Sequence, residues 1–90
     1  MTDFEALSIL NGMDEGDEIE ALQTIIDSGV AWTMEGSIGR ACMAAIEAGD
    51  CVLGEVGHRD YWGSYIPSRH EVAPGTKGSP EYAEAQQENR

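Results

Sequence analysis

The sequence predicts an α+β domain: three short helices packed on a C-terminal two-stranded antiparallel hairpin, followed by a polar tail with a short terminal helix. Three observations carry this prediction. The stretch DEIEALQTIIDSG repeats apolar residues at helical spacing, SIGRACMAAIEA does the same with small residues, and after Asp50 the pattern turns to extended β-branched and aromatic runs. Ninety residues admit one domain, assigned to 1–72, with 73–90 as a polar C-terminal segment. So short a chain hides a modest fraction of its surface, and a partner or a second copy would add to its stability.

The first helix is expected over FEALSIL, capped by Asp3 or, alternatively, started by Thr2 with Glu5, and NGMDEGD then breaks it. The second places Ile19, Leu22, Ile25 and Ile26 on one stripe. Asp17 and Glu18 lie at the favourable end of its dipole, and Gly29 sits where a C-terminal cap belongs. Asp17, Glu20 and Asp27 project away from that stripe as an outward acidic face.

The third helix runs from Ser37, its expected cap, to Ala48, with Gly49 ending it and Met34 and Glu35 open to an earlier turn. Its inward face is Ile38, Ala41, Cys42 and Ala45, flanked by Ile46 and Ala48, while Met43 falls on the polar side with Arg40 and Glu47. Beyond it, CVLGEV and YWGSYI read as strands joined by GHRD, which pairs Val56 with Tyr61, Gly54 with Gly63 and Val52 with Tyr65. Ser79 and Pro80 open the terminal helix, which needs Tyr82 as a dock to avoid fraying.

The formal net charge is −12, and it is unevenly placed. Residues 1–39 carry acids and no base. Nucleic-acid binding draws affinity from Lys and Arg that displace counterions, so no direct DNA or RNA contact is expected. No run of eighteen apolar residues suggests a membrane span, and MTDFEALSIL lacks the positive region of a signal peptide, so a cytoplasmic location is expected. Cys42 and Cys51 are too few for a disulfide framework and read as small core thiols.

Motifs that would carry chemistry fail on their partners. HRD at 58–60 lacks the Leu and downstream Asn of a kinase catalytic loop. Ser64, Ser68, His58, His70, Asp60 and Glu71 supply triad residue types without a nucleophile elbow, so no catalytic residue is assigned. Cys42, Cys51, His58 and His70 lack metal-ligand spacing, and a calcium loop around Gly16 would put Met13 and Leu22 at oxygen-ligand positions. No cofactor or metal is expected. EGSIGR could cradle an anion with Arg40, although Glu35 opposes it and an ordinary helix cap explains it.

What remains is an enrichment. Arg59, Tyr61, Trp62, Tyr65 and Arg69 fall within eleven positions and are the residue types that dominate binding interfaces. Strand alternation sends Trp62 to the face opposite Tyr61 and Tyr65, one face covering the core and the other free for a partner.

The segments EGSIGRACMAAIEAGD and GHRDYWGSYIPSRHEVAPGTKGSPEY, within residues 35–82, resemble a family of small, acidic, functionally uncharacterised proteins of actinobacteriophages, mycobacteriophages among them. The resemblance implies synthesis in a bacterial host's cytoplasm and engagement of host machinery. The expectation is a non-enzymatic interaction module that binds a host protein or its own copy. The alternatives are an acidic DNA mimic that occupies a nucleic-acid-binding protein and, third, a small enzyme.

Overall fold

The computed structural model describes residues 1–34 and 36–90, so the expectations for Glu35 lie outside the described residues. Its order is α1 (Asp3–Leu10), α2 (Glu18–Ser28), a 3-10 turn (Val30–Thr33), α3 (Ser37–Ala48), β1 (His58–Arg59), β2 (Tyr65–Ile66) and α4 (Pro80–Glu88). This is the α+β class expected, built from helices and one two-stranded antiparallel sheet.

Helix α1 takes the alternative start. The Glu5 amide donates to Thr2 Oγ1, and Glu5 Oε1 accepts from the Thr2 amide, a reciprocal capping box that leaves Asp3 in the first turn. In α2 the Asp17 carboxylate accepts from the amides of Ile19 and Glu20, and Gly29 closes the helix in the left-handed region at φ +88°. Ala21, Leu22, Ile25 and Ile26 are buried as the stripe requires. Ile19, counted on that stripe, stays partly exposed on the helix's first turn.

Val30–Thr33 buries Ala31 and Trp32 in the core. Four residues are too few to show a period, so the sequence does not announce this turn. In α3 the cap is Gly36, not Ser37, and it offers no side-chain oxygen to the first amides. Cys42, Ala45 and Ile46 are buried and Ile38 and Ala41 pack at the core's edge, but Ala48 is exposed.

The run CVLGEV is not a strand. Its backbone groups are satisfied one at a time by other parts of the chain: the Val52 amide donates to Gln23 Oε1 at 2.8 Å, and Gln23 Nε2 donates to the Val52 carbonyl at 3.0 Å. The Leu53 amide donates to the Gly78 carbonyl, and the Gly54 carbonyl accepts from the Arg69 amide. Buried backbone polar groups must find partners, and here a glutamine side chain from α2 takes the place of a neighbouring strand.

The hairpin is shifted accordingly. His58 pairs with Ile66 and Arg59 with Tyr65, so the expected turn GHRD supplies a strand, and residues 60–64 make the reversal. Asp60 decides this. Its Oδ1 accepts from the amides of Trp62 and Ser64, its amide donates to the Ser64 carbonyl, and Gly63 adopts φ +82°. The His58 ring lies against Gly29, where an added Cβ would overlap the imidazole.

Residues 73–90 fold back onto the body of the molecule. Ser79, almost wholly buried, caps α4 through the Tyr82 amide, and Pro80 takes the first helical position. The last carbonyls of α3 have no partner within their own helix, and α4 with the residues just after it supplies three donors. Tyr82 Oη donates to Glu47, Arg90 Nη2 to Ala48, and Gln87 Nε2 to Gly49. Among the described residues, no helix is long and apolar enough to cross a membrane.

Candidate interaction surface

The turn built by Asp60 and Gly63 has a consequence for the aromatic residues. Tyr61 and Trp62 stand together at the hairpin tip, edge to face, with ring centroids 5.1 Å apart and planes at 83°. They do not lie on opposite faces, because strand alternation does not apply inside a turn. Tyr61 is 63% and Trp62 79% exposed. The Tyr61 amide donates to the Trp32 carbonyl at 3.0 Å, which ties the tip to the 3-10 turn. Arg59 braces it from behind, with Nη1 donating to the Gly63 carbonyl and the guanidinium 5.6 Å from the Tyr65 ring centroid.

Between this tip and the outer face of α3 lies an open groove of about 620 Å³. One side is a stripe of α3: Gly36, Gly39, Arg40, Met43, Ala44 and Glu47. The other side is Ala31, Trp32, Met34, Asp60, Tyr61, Trp62 and Ile66. Met43, which helical projection places among polar residues, is half exposed as part of this stripe. Trp32 is 9% exposed, and among the described residues its Nε1–H is a buried side-chain donor with no acceptor. An unmet buried donor costs roughly 1–3 kcal/mol. Trp32, Met34 and Ile66 are scattered in sequence, and no periodic signal unites them.

The other candidates divide. Arg69 is not presented to a partner. Its side chain is 18% exposed, with Nε donating to the Leu53 carbonyl at 2.8 Å, Nη2 to Asp27 Oδ1 at 2.8 Å and Nη1 to Glu55 Oε1 at 3.0 Å. Asp27 is therefore drawn off the acidic face, since the same oxygen also accepts from Gln23 Nε2. Asp17 and Glu20 remain exposed, Asp17 as the cap of α2.

Tyr65 is half exposed and also anchored. Its hydroxyl donates to Glu71 at 2.6 and 2.8 Å, and its ring covers Gly57, where no Cβ would fit. The hydrogen bond from Tyr65, with help from the Ser68 amide, holds the Glu71 carboxyl below its ordinary range and pushes the Tyr65 phenol up. Glu55 is held low by its hydrogen bond with His70, 3.0 Å away, and by Arg69.

The remaining chemistry-bearing residues are occupied in structure. Ser68 Oγ accepts from the His70 amide. His58 Nε2 lies 3.3 Å from the Asp27 carbonyl. Both cysteines are buried and free, and burial pushes the thiol of Cys42 up to about 11 and that of Cys51 to about 12. Among the described residues, no three of His, Cys, Asp and Glu converge to hold a metal ion. Comparison with protein-family models, curated proteins and solved structures finds no match for the chain.

Proposed function

We propose that this chain is a non-enzymatic protein-interaction module that works through the face formed by the hairpin tip and the α3 stripe. The observation that carries it is the fixed presentation of Tyr61 and Trp62 to solvent beside an open, largely apolar groove. Exposed paired aromatics on a braced turn lose little side-chain entropy on binding and bury much area, which is how interface anchors gain affinity. The resemblance of residues 35–82 to actinobacteriophage proteins supports a bacterial host's cytoplasm as its setting and a host protein or a second copy as its partner. Mimicry of DNA has less support, because Asp27 is engaged by Arg69 and Asp17 by the amides of α2.

The test is affinity capture from a mycobacterial lysate, with bound proteins identified by mass spectrometry, alongside sedimentation equilibrium of the chain alone. At least one association, with a host protein or with itself, is expected to weaken about 30-fold or more in Trp62→Ala, the loss of an anchor worth about 2 kcal/mol. A folded chain that stays monomeric and captures nothing above a control would refute the proposal.

A further inference from the structure

Resting on the reading of this face as a docking surface, we propose that its occupant is the α3 helix of a second copy, packed antiparallel about a two-fold axis that passes between Met43 and Ala44. The exposed stripe of α3 carries a base at Arg40, an apolar centre at Met43 and Ala44, and an acid at Glu47. Seven helical residues return to nearly the same face about 10.5 Å along the axis, so Arg40 and Glu47 lie on one line with the apolar centre between them. Reversed and laid on itself, this pattern is self-complementary. Arg40 of each copy meets Glu47 of the other, and the Met43–Ala44 centres meet each other, as an isologous interface requires.

The rest of the stripe suits the same occupant. Ala44 is small enough to let the two helices approach closely, and Gly39 and the exposed Ala48, related by the same axis, flank the contact about 90° from its centre line. An extended strand fits poorly, because its same-face positions fall at about 6.7 or 13 Å and miss the spacing of the two charges. Glu47 also approaches Lys77 at 3.6 Å, but both side chains are more than half exposed, and such a pair exchanges at little cost. The formal net charge of −12 on each copy opposes association in general. The stripe itself is neutral, and at physiological salt distant charges are screened beyond about 8 Å.

Charge reversal tests the two-fold pairing directly. Sedimentation equilibrium of the full chain should show a dimer that is weakened on the order of 10- to 100-fold by Arg40→Glu, and equally by Glu47→Arg, since each change makes two repulsive pairs per dimer. The double variant Arg40→Glu/Glu47→Arg should recover the dimer. An equimolar mixture of the two single variants should form a heterodimer, although neither associates strongly alone. A monomer at all concentrations, a dimer indifferent to both single changes, or a mixture that fails to associate would each overturn the proposal. In any of these cases Trp62-dependent capture of a host protein would leave the broader docking reading standing, and its absence would remove that as well.

Discussion

Arg69→Ala isolates the clasp that joins the irregular segment 51–57 to α2 and to the residues after the hairpin. The guanidinium makes three charge-assisted hydrogen bonds, but they are not equal. Glu55 is well exposed, so water and salt screen its pair and it adds little, whereas Asp27, 41% exposed, contributes up to about 1 kcal/mol. The Leu53 carbonyl belongs to a buried residue, and losing its donor costs about 1–3 kcal/mol. The expected loss is therefore about 1–4 kcal/mol, a substantial share of the roughly 5–13 kcal/mol typical of a chain this size. Urea unfolding followed by circular dichroism should register it, and the thermal midpoint should fall by roughly 5–30 °C. Arg69→Lys should recover little, because one ammonium cannot span three acceptors in fork geometry. Most of the loss should persist in an Asp27→Asn background, where only an ion pair worth less than the Leu53 hydrogen bond has been removed. A loss below about 0.5 kcal/mol for Arg69→Ala would refute the clasp and return Arg69 to the candidate binding surface.

Glycine substitutions separate backbone strain from crowding. Gly63→Ala, at φ +82° with open space around it, should cost about 1 kcal/mol, whereas Gly29→Ala, at φ +88° and against the His58 ring, should cost about 2–4 kcal/mol. The excess at Gly29 should vanish in a His58→Ala background, as measured by urea unfolding. The Glu55 and Glu71 carboxyls sit below their ordinary 4.5, so the stability they add is complete above about that pH and lost as pH falls beneath it. The Tyr65 phenol is raised above its ordinary 10, so its contribution is intact below pH 10 and lost as pH rises further. Tyr65→Phe should flatten both limbs of the stability-against-pH curve. Cys42 and Cys51, buried with raised thiol pKa values, should react with a thiol reagent at pH 8 only as the chain unfolds, and fast labelling of either in the native protein would contradict their burial.

The helices were legible because their signals are local. Gly29 and Gly49 end α2 and α3 where the sequence places them, and Ser79 with Pro80 opens α4. The apolar period of α2 needs no knowledge of what it packs against. The hairpin was legible in kind and not in register. GHRD and DYWGS both contain residues that favour turns, and only the carboxylate of Asp60, closing on the amides of Trp62 and Ser64, selects the second. That choice moved Tyr61 and Trp62 from opposite faces to one exposed tip.

The candidate site was half legible for a related reason. Composition picks out Tyr61 and Trp62, but it cannot separate them from Arg69, whose three acceptors Leu53, Glu55 and Asp27 are 16, 14 and 42 residues away in the chain. The sequence by itself determined the α-helices, their C-terminal glycines at Gly29 and Gly49 and the acidic balance, because each follows from residues within one or two turns of one another, although it misplaced the N-cap of α3. Tertiary structure alone decided which polar groups are consumed internally and which aromatics face solvent, because a buried carbonyl or carboxylate takes whatever donor the fold brings to it, however distant in the chain.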